Sequence, residues 1–160
     1  MSPVPTPLSA GVLLFRRNGG GETEVLLIHP GGPYWARKDE GAWMIPKGGV
    51  GPGESPADAA VREFEEEVGM ALATAPVPLL RIRQSGGKTV EVFAAEGDFD
   101  PTFLRSIEFE MEWPPRSGIV RRFPECDEAR WMRLDEARRM MLPSQLPILD
   151  ALEEKLQSKG

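Results

Sequence analysis

With 160 residues the chain fits one compact domain covering residues 1–160, and a second catalytic unit is not expected. Its composition, 41% hydrophobic and 28% charged without an apolar run near the roughly 18 residues of a membrane span, excludes a helical membrane protein, and a net charge of −6 speaks against binding duplex nucleic acid through its phosphates. A single cysteine, Cys126, excludes an internal disulfide and, with no basic start or long apolar leader in the first residues, gives the expectation of a cytoplasmic protein.

In chain order, Leu8 to Arg16 and Glu24 to His29 are rich in Val, Leu and Ile and flank Asn18-Gly19-Gly20-Gly21, which predicts a hairpin. Pro30 to Gly41 follows as a polar loop carrying Tyr34 and Trp35, and Ala42 to Ile45 as a short apolar strand. Ser55 is a good N-cap, Pro56 suits the first helical position, Asp58 has a capping-box spacing and Gly69 is a natural stop, so a helix is expected over Pro56–Val68. On a 3.6-residue period Ala57, Ala60, Val61, Phe64 and Val68 share the face that should bury. Pro78 to Arg83 and Thr89 to Ala95 predict a second hairpin across residues 84–88, and Asp100-Pro101 opens a short turn of helix. Ser106 to Trp113 alternates apolar and acidic residues, as a half-buried strand does, with Glu108, Glu110 and Glu112 on a solvated face. Ala129 to Met132 is a further strand, and helices are expected over Leu134–Met141 and Leu146–Leu156. Strands and helices alternate irregularly, which predicts an α/β fold with a mixed β-sheet and helices on both faces.

Charge is concentrated in the first helix. Between Glu54 and Glu67 stand six acids against one base, Arg62. Glu63, Glu66 and Glu67 are spaced i, i+3 and i+4, so their carboxylates crowd one face, where each like-charge pair costs about 0.2–0.5 kcal/mol when exposed. A hard divalent cation reverses that sign, because Mg²⁺ is held by one or two carboxylates together with waters and substrate phosphates.

Gly48, five residues, Glu54, seven residues and then Arg62-Glu63-Phe64-Glu65-Glu66-Glu67-Val68-Gly69-Met70 resembles the box of the Nudix hydrolases, G-x5-E-x7-R-E-U-x-E-E-x-G-U, at every fixed position. Chance agreement at one start site is on the order of one in 10⁹ by composition. The resemblance implies an α/β/α sandwich that binds Mg²⁺ or Mn²⁺ through a loop-helix-loop. It makes Glu66 and Glu67 principal metal ligands, Glu63 a ligand or the base that activates water, Arg62 the residue that orients a glutamate, and Glu54 a support for the loop. It further implies an acidic ligand from a loop ahead of a Trp-bearing strand, for which Glu125 is the candidate in Phe123 to Trp131, with Glu128 in reserve.

The entry Ile45-Pro46-Lys47-Gly48-Gly49 looks like that of diadenosine polyphosphate hydrolases. Lys47 is then a phosphate contact, and Gly48 and Gly49 let the backbone approach a pyrophosphate. Trp43 either stacks on a base, as Trp35 and Tyr34 could, or belongs to the core. Arg116, Arg121 and Arg122 are either phosphate contacts or surface charges, and His29, the only histidine, is read as structural or loop-orienting. The expected partner is a small nucleotide, with a dinucleoside polyphosphate as substrate. The competing readings are a housecleaning nucleoside triphosphate pyrophosphatase, an RNA 5′ pyrophosphohydrolase, or a non-catalytic nucleotide-binding regulatory module. The sequence leaves the oligomeric state open.

Overall fold

The computed structural model describes residues 8–84 and 86–158; the expectations for residues 1–7, and for Ser85 in the second hairpin turn, lie outside them. The elements in chain order are β1 (Leu8–Arg17), β2 (Thr23–Pro30), β3 (Lys47–Gly49), α1 (Pro56–Val68), β4 (Val77–Arg83), β5 (Thr89–Glu96), β6 (Glu108–Glu112), β7 (Val120–Pro124), β8 (Cys126–Arg133), α2 (Leu134–Met140) and α3 (Leu146–Ser158). The main sheet runs β4-β5-β1-β2-β8. Its central strand β1 is parallel to β5 and antiparallel to β2, so the sheet is mixed, as expected.

The second edge of β1 is shared. Arg17, Arg16 and Phe15 pair with β2, whereas Ser9, Ala10 and Gly11 pair antiparallel with β3. The entry to the acidic helix is thereby stitched into the sheet rather than left as a free loop.

Period-two alternation sorts the strand side chains into two layers. Ala10, Val12, Leu14, Leu26, Ile28, Phe93 and Ala95 face α1, which buries Ala59, Ala60, Phe64 and Val68 against them. Leu13, Val25, Leu27, Val90 and Val92 face the other way, onto α2 and α3. Helices therefore cover both faces. The α1 stripe differs from expectation at three residues: Ala59 is fully buried, while Ala57 and Val61 are only half-buried.

Three elements depart from the sequence reading. Ala42 to Ile45 is not a strand: Met44 exchanges backbone bonds with Ile28, Trp43 with Met140 and Leu142, and the Ile45 amide donates to the Gln145 side chain, so the segment is a strut between β2 and the α2 end. The strand falls instead on Lys47–Gly49, whose glycines carry no strand signal. Second, among the described residues β6 pairs only with β7, a strand the sequence does not announce, and the two form a separate ribbon outside the main sheet. Third, β8 begins at Cys126 rather than Ala129. Among the described residues no helix is long and apolar enough to cross a membrane.

The ends of α1 follow from its caps. Ser55 Oγ accepts from the Asp58 amide at 3.1 Å, a bond worth about 1 kcal/mol, and Gly69 ends the helix at φ 85°, donating to Glu65 O at 2.8 Å. A Cβ on Gly69 would also lie 2.6 Å from the Arg105 backbone oxygen. Gly69→Ala is therefore expected to destabilise the protein by about 2 kcal/mol or more in urea unfolding, since both the left-handed backbone and the close contact oppose it.

Candidate active site

The site is organised by one guanidinium. Arg62 projects from α1 back over the loop before it, and its Nε and Nη2 donate to the two Glu54 carboxylate oxygens at 2.8 and 3.0 Å. Nη2 also donates to the Gly49 carbonyl at 2.9 Å, while Nη1 reaches Glu63 at 2.9 Å and Glu66 at 3.2 Å. The forked geometry of Arg makes this possible where Lys, a point charge, would serve one partner at a time. With the Gly51 amide also donating to its Oε1 at 2.9 Å, Glu54 is held at a pKa of about 2, mainly by the Arg62 hydrogen bonds. Arg62 in turn is raised, first by Glu54, and stays charged.

Glu63 lies against the loop. A Cβ on Gly48 would sit 2.1 Å from its carboxylate, so a glycine is needed there for close approach. Burial raises the Glu63 pKa, against the opposing pull of Arg62. Glu67 is deeper and accepts from the Lys47 amide at 3.0 Å. Its pKa is pushed up to about 8, chiefly by burial and further by the neighbouring Glu63 and Glu125 carboxylates. Glu65, which falls on an unfixed position of the box pattern, is exposed to solvent. Burial lowers the Lys47 pKa, with Glu67 acting against it.

Glu125 joins this group through the backbone. The Glu66 carbonyl accepts from the Ile107 amide at 3.1 Å, the Ile107 carbonyl accepts from the Glu125 amide at 2.8 Å, and the Glu125 carbonyl accepts from Gly31 at 2.9 Å. One relay thus ties the last turn of α1, the start of the ribbon, the acidic turn and the loop after β2. Glu128, held in reserve, is elsewhere: it pairs with Arg130 at 3.2 Å and borders a polar hollow with His29, Lys38 and Asp39.

Trp43 needs correction as a substrate contact. It is 1% exposed, its indole N–H donates to Asp39 at 2.9 Å, and the Arg130 guanidinium lies 4.7 Å over its ring, so it is a core residue unavailable for stacking. The aromatic surface beside the site is another one. A hollow of about 270 Å³ is lined by Gly31, Tyr34, Trp35, Phe109, Met111 and Glu125. Tyr34 and Trp35 were singled out in the sequence; Phe109 and Met111 were not, because their alternation shows a half-buried face without showing what it faces. Arg121 is the register partner of Met111 and shares that face of the ribbon, whereas Arg122 is on the opposite face, paired with Glu110 at 3.1 Å.

The NUDIX domain family model matches residues 5–152. The chain belongs to the Nudix family. Among curated relatives, RNA pyrophosphohydrolase of Rhodospirillum rubrum is 28% identical over 167 residues, covering 98% of this chain and 94% of that protein. RNA pyrophosphohydrolase of Erythrobacter litoralis is 28% identical over 134 residues, covering 76% and 77%. Among solved structures, a Caenorhabditis elegans Ap4A hydrolase binary complex aligns at TM-score 0.67 with 20% identity, over 94% of this chain and 98% of that one. The NUDIX domain of Shewanella oneidensis NrtR complexed with ADP ribose aligns at 0.65 with 15% identity, over 96% and 90%. At these identities the structural likeness concerns the Nudix fold.

Nudix hydrolases use divalent ions such as Mg²⁺, and the donor set here fits one: only carboxylate oxygens, at least one of them buried among other acids with too little positive charge nearby. Among the described residues no three acidic, His or Cys side chains already converge as a coordination cluster, since Glu63 and Glu66 are turned onto Arg62 and Glu67 onto the Lys47 amide. Holding a cation takes a change of rotamer at Glu63 or Glu66. Without a cation, Glu67 is an electrostatic burden. Its folded pKa of about 8 exceeds the ordinary 4.5, so the neutral form is favoured on folding and that contribution fades as pH rises from about 4.5 through 8. Urea unfolding of the metal-free Nudix domain is expected to show stability falling over this window, and Glu67→Gln is expected to remove that part of the slope and to be the more stable form at pH 8. An unchanged slope in the variant would show that the burial of Glu67 is not what the structure implies.

Proposed function

We propose that this Nudix hydrolase cleaves a phosphoanhydride bond in a nucleoside diphosphate linked to another group, with a dinucleoside polyphosphate as the substrate it suits best. The observation that supports this reading is the adjacency of two unlike surfaces: the acids Glu63, Glu66, Glu67 and Glu125, and a hollow walled by Tyr34, Trp35, Phe109 and Met111 that shares Glu125 with them. One suits a charged polyphosphate bridge and the other a base, whose stacking is worth roughly 1–3 kcal/mol.

In this reading Glu66 and Glu67 are the principal ligands for Mg²⁺ or Mn²⁺, with Glu63 and Glu125 completing the set. The bound ion would neutralise phosphate charge and acidify water. Glu63, raised in pKa by burial, is suited to accept the proton of the attacking water, which adds to phosphorus as one P–O–P bond breaks. Arg62 holds Glu63 and Glu66 beside the loop until a cation draws one of them over, and Glu54 keeps Arg62 in place. Lys47 and the Gly48-Gly49 backbone line the entry, where a phosphate can pair with them. Arg121, the register partner of Met111, is a cation on the same face of the ribbon.

A second reading, release of the 5′ diphosphate of an RNA, is favoured by the activity named for the curated relatives. One panel decides between the two. The protein is incubated with diadenosine tetraphosphate, ADP-ribose, a nucleoside triphosphate and a 5′-triphosphorylated RNA, each with Mg²⁺ or Mn²⁺, and the products are resolved by mass. Release of mononucleotides from the dinucleotide is the expected result; pyrophosphate from the RNA would transfer the assignment to the second reading, and no turnover on any substrate would defeat both. Glu66→Gln and Glu67→Gln are each expected to lower turnover at least about 100-fold with the circular dichroism spectrum unchanged. Gly48→Ala should separate activity from stability: only the flexible end of Glu63 has to move, so the unfolding midpoint stays near that of the wild type while turnover falls.

A further inference from the structure

Residues 31–41, which carry Tyr34 and Trp35, form neither helix nor strand, yet the loop is tied down at several points. The Gly31 amide donates to the Glu125 carbonyl at 2.9 Å, the Lys38 amide to Trp35 at 3.0 Å, and the Trp43 indole N–H to Asp39 at 2.9 Å. His29, at the end of β2, supplies the remaining tie. Its Nε2 lies 2.6 Å from the Lys38 carbonyl and its Nδ1 2.7 Å from the Asp127 carboxylate. The residue is 7% exposed, and its ring is tilted against Trp43 at a centroid distance of 5.3 Å.

We propose that His29 is a positioning residue for the nucleotide, clamping the aromatic loop to the turn that carries Glu125. This inference rests on the hydrolase reading above. The reasoning is geometric. Nδ1 and Nε2 lie on different edges of one rigid ring, so a single side chain meets a partner on each side; a Gln or Asn amide has donors on one nitrogen only and cannot span the two. The bridged atoms belong to the two pieces that must stay in register. Lys38 lies three residues beyond Trp35, and Asp127 two residues beyond Glu125. The β2–β8 pairing is bulged between His29 and Pro30, which pair with Glu128 and Cys126, so Asp127 stands outside the regular ladder and is tied instead through the His29 ring. The Gly31 bond ties the near end of the loop to Glu125, and the His29 bridge ties its far end to Asp127. Wall and acid then move together, which keeps a base in the hollow aligned with the carboxylates.

Loss of the clamp is expected to weaken substrate capture more than chemistry. With diadenosine tetraphosphate and Mg²⁺, His29→Gln should raise KM about tenfold while kcat stays within about twofold. Asp127 is exposed, so Asp127→Ala removes the same bridge without opening the core; it should shift KM in the same direction, and the double variant should be no worse than the more affected single one. A fall in kcat at unchanged KM, or additive losses in the double variant, would overturn the proposal. Hydrogen exchange gives a readout that needs no turnover: amides of residues 31–41 should exchange faster in His29→Gln than in the wild type, and equal exchange would overturn the clamp. A wild type inactive on every nucleotide would defeat the hydrolase reading and leave the exchange comparison to judge the clamp alone.

Discussion

The site depends on how Arg62 shares its donors. Its five N–H groups serve three carboxylates and one backbone carbonyl on both sides of the α1 entry, so the loop that begins at β3 and the helix face that bears the acids are fixed to one another by a single planar group. Three glutamates at i, i+3 and i+4 repel when nothing stands among them. Arg62 satisfies the first two and leaves Glu67, half-buried with only the Lys47 amide and the Cys126 thiol beside it. The asymmetry sets the acids apart: Glu54 is held firmly ionised, while Glu67 is pushed toward the neutral form until positive charge arrives. Coulomb attraction between a divalent ion and a half-desolvated carboxylate is far larger than in water, so the residue that burdens the metal-free fold is the one with most to gain from a cation.

The sheet makes this arrangement possible by dividing one edge of β1 between two partners. Where β2 leaves, β3 enters, and the three residues of β3 bring Lys47 and Gly48 against the buried face of α1. A continuous β1–β2 pairing would have occupied that edge and left the box loop with nowhere to anchor. The same economy appears at the other side of the site, where the Glu66, Ile107, Glu125 and Gly31 backbone groups are joined in series. Secondary structure here ends where function begins, and the loose ends are hydrogen-bonded to each other.

What could be read from the amino acids was what local chemistry decides. Helix α1 was legible to the residue because Ser55, Pro56 and Gly69 mark its ends, and the two hairpins were legible because apolar runs flank glycine-rich turns. The box acids were legible through their spacing. Strand β3 was not, since Lys47-Gly48-Gly49 has no strand propensity and owes its conformation to the vacancy beside β1. Strand β7 was hidden by two arginines and a proline in a segment whose partner, β6, looked like an ordinary sheet strand. Trp43 was ambiguous because an aromatic ahead of the box has the same pattern whether it is buried or presented. Phe109 and Met111 illustrate the general limit: alternation tells that one face is covered, and only the tertiary arrangement tells that Tyr34 and Trp35 cover it.

The ribbon of β6 and β7 stands outside the layered core. Among the described residues its strands pair only with each other, and Ile107, Ile119 and Val120 remain exposed along it. Because neither hydrophobic layer draws on it, residues there can be exchanged, or the hairpin lengthened, at little expense to folding. The inner side of that hairpin nevertheless forms a wall of the hollow beside Glu125. Under the proposed function, a change in this surface appendage would alter which nucleotide is admitted, while the carboxylates would stay tied to α1, whose opposite face is packed into the core.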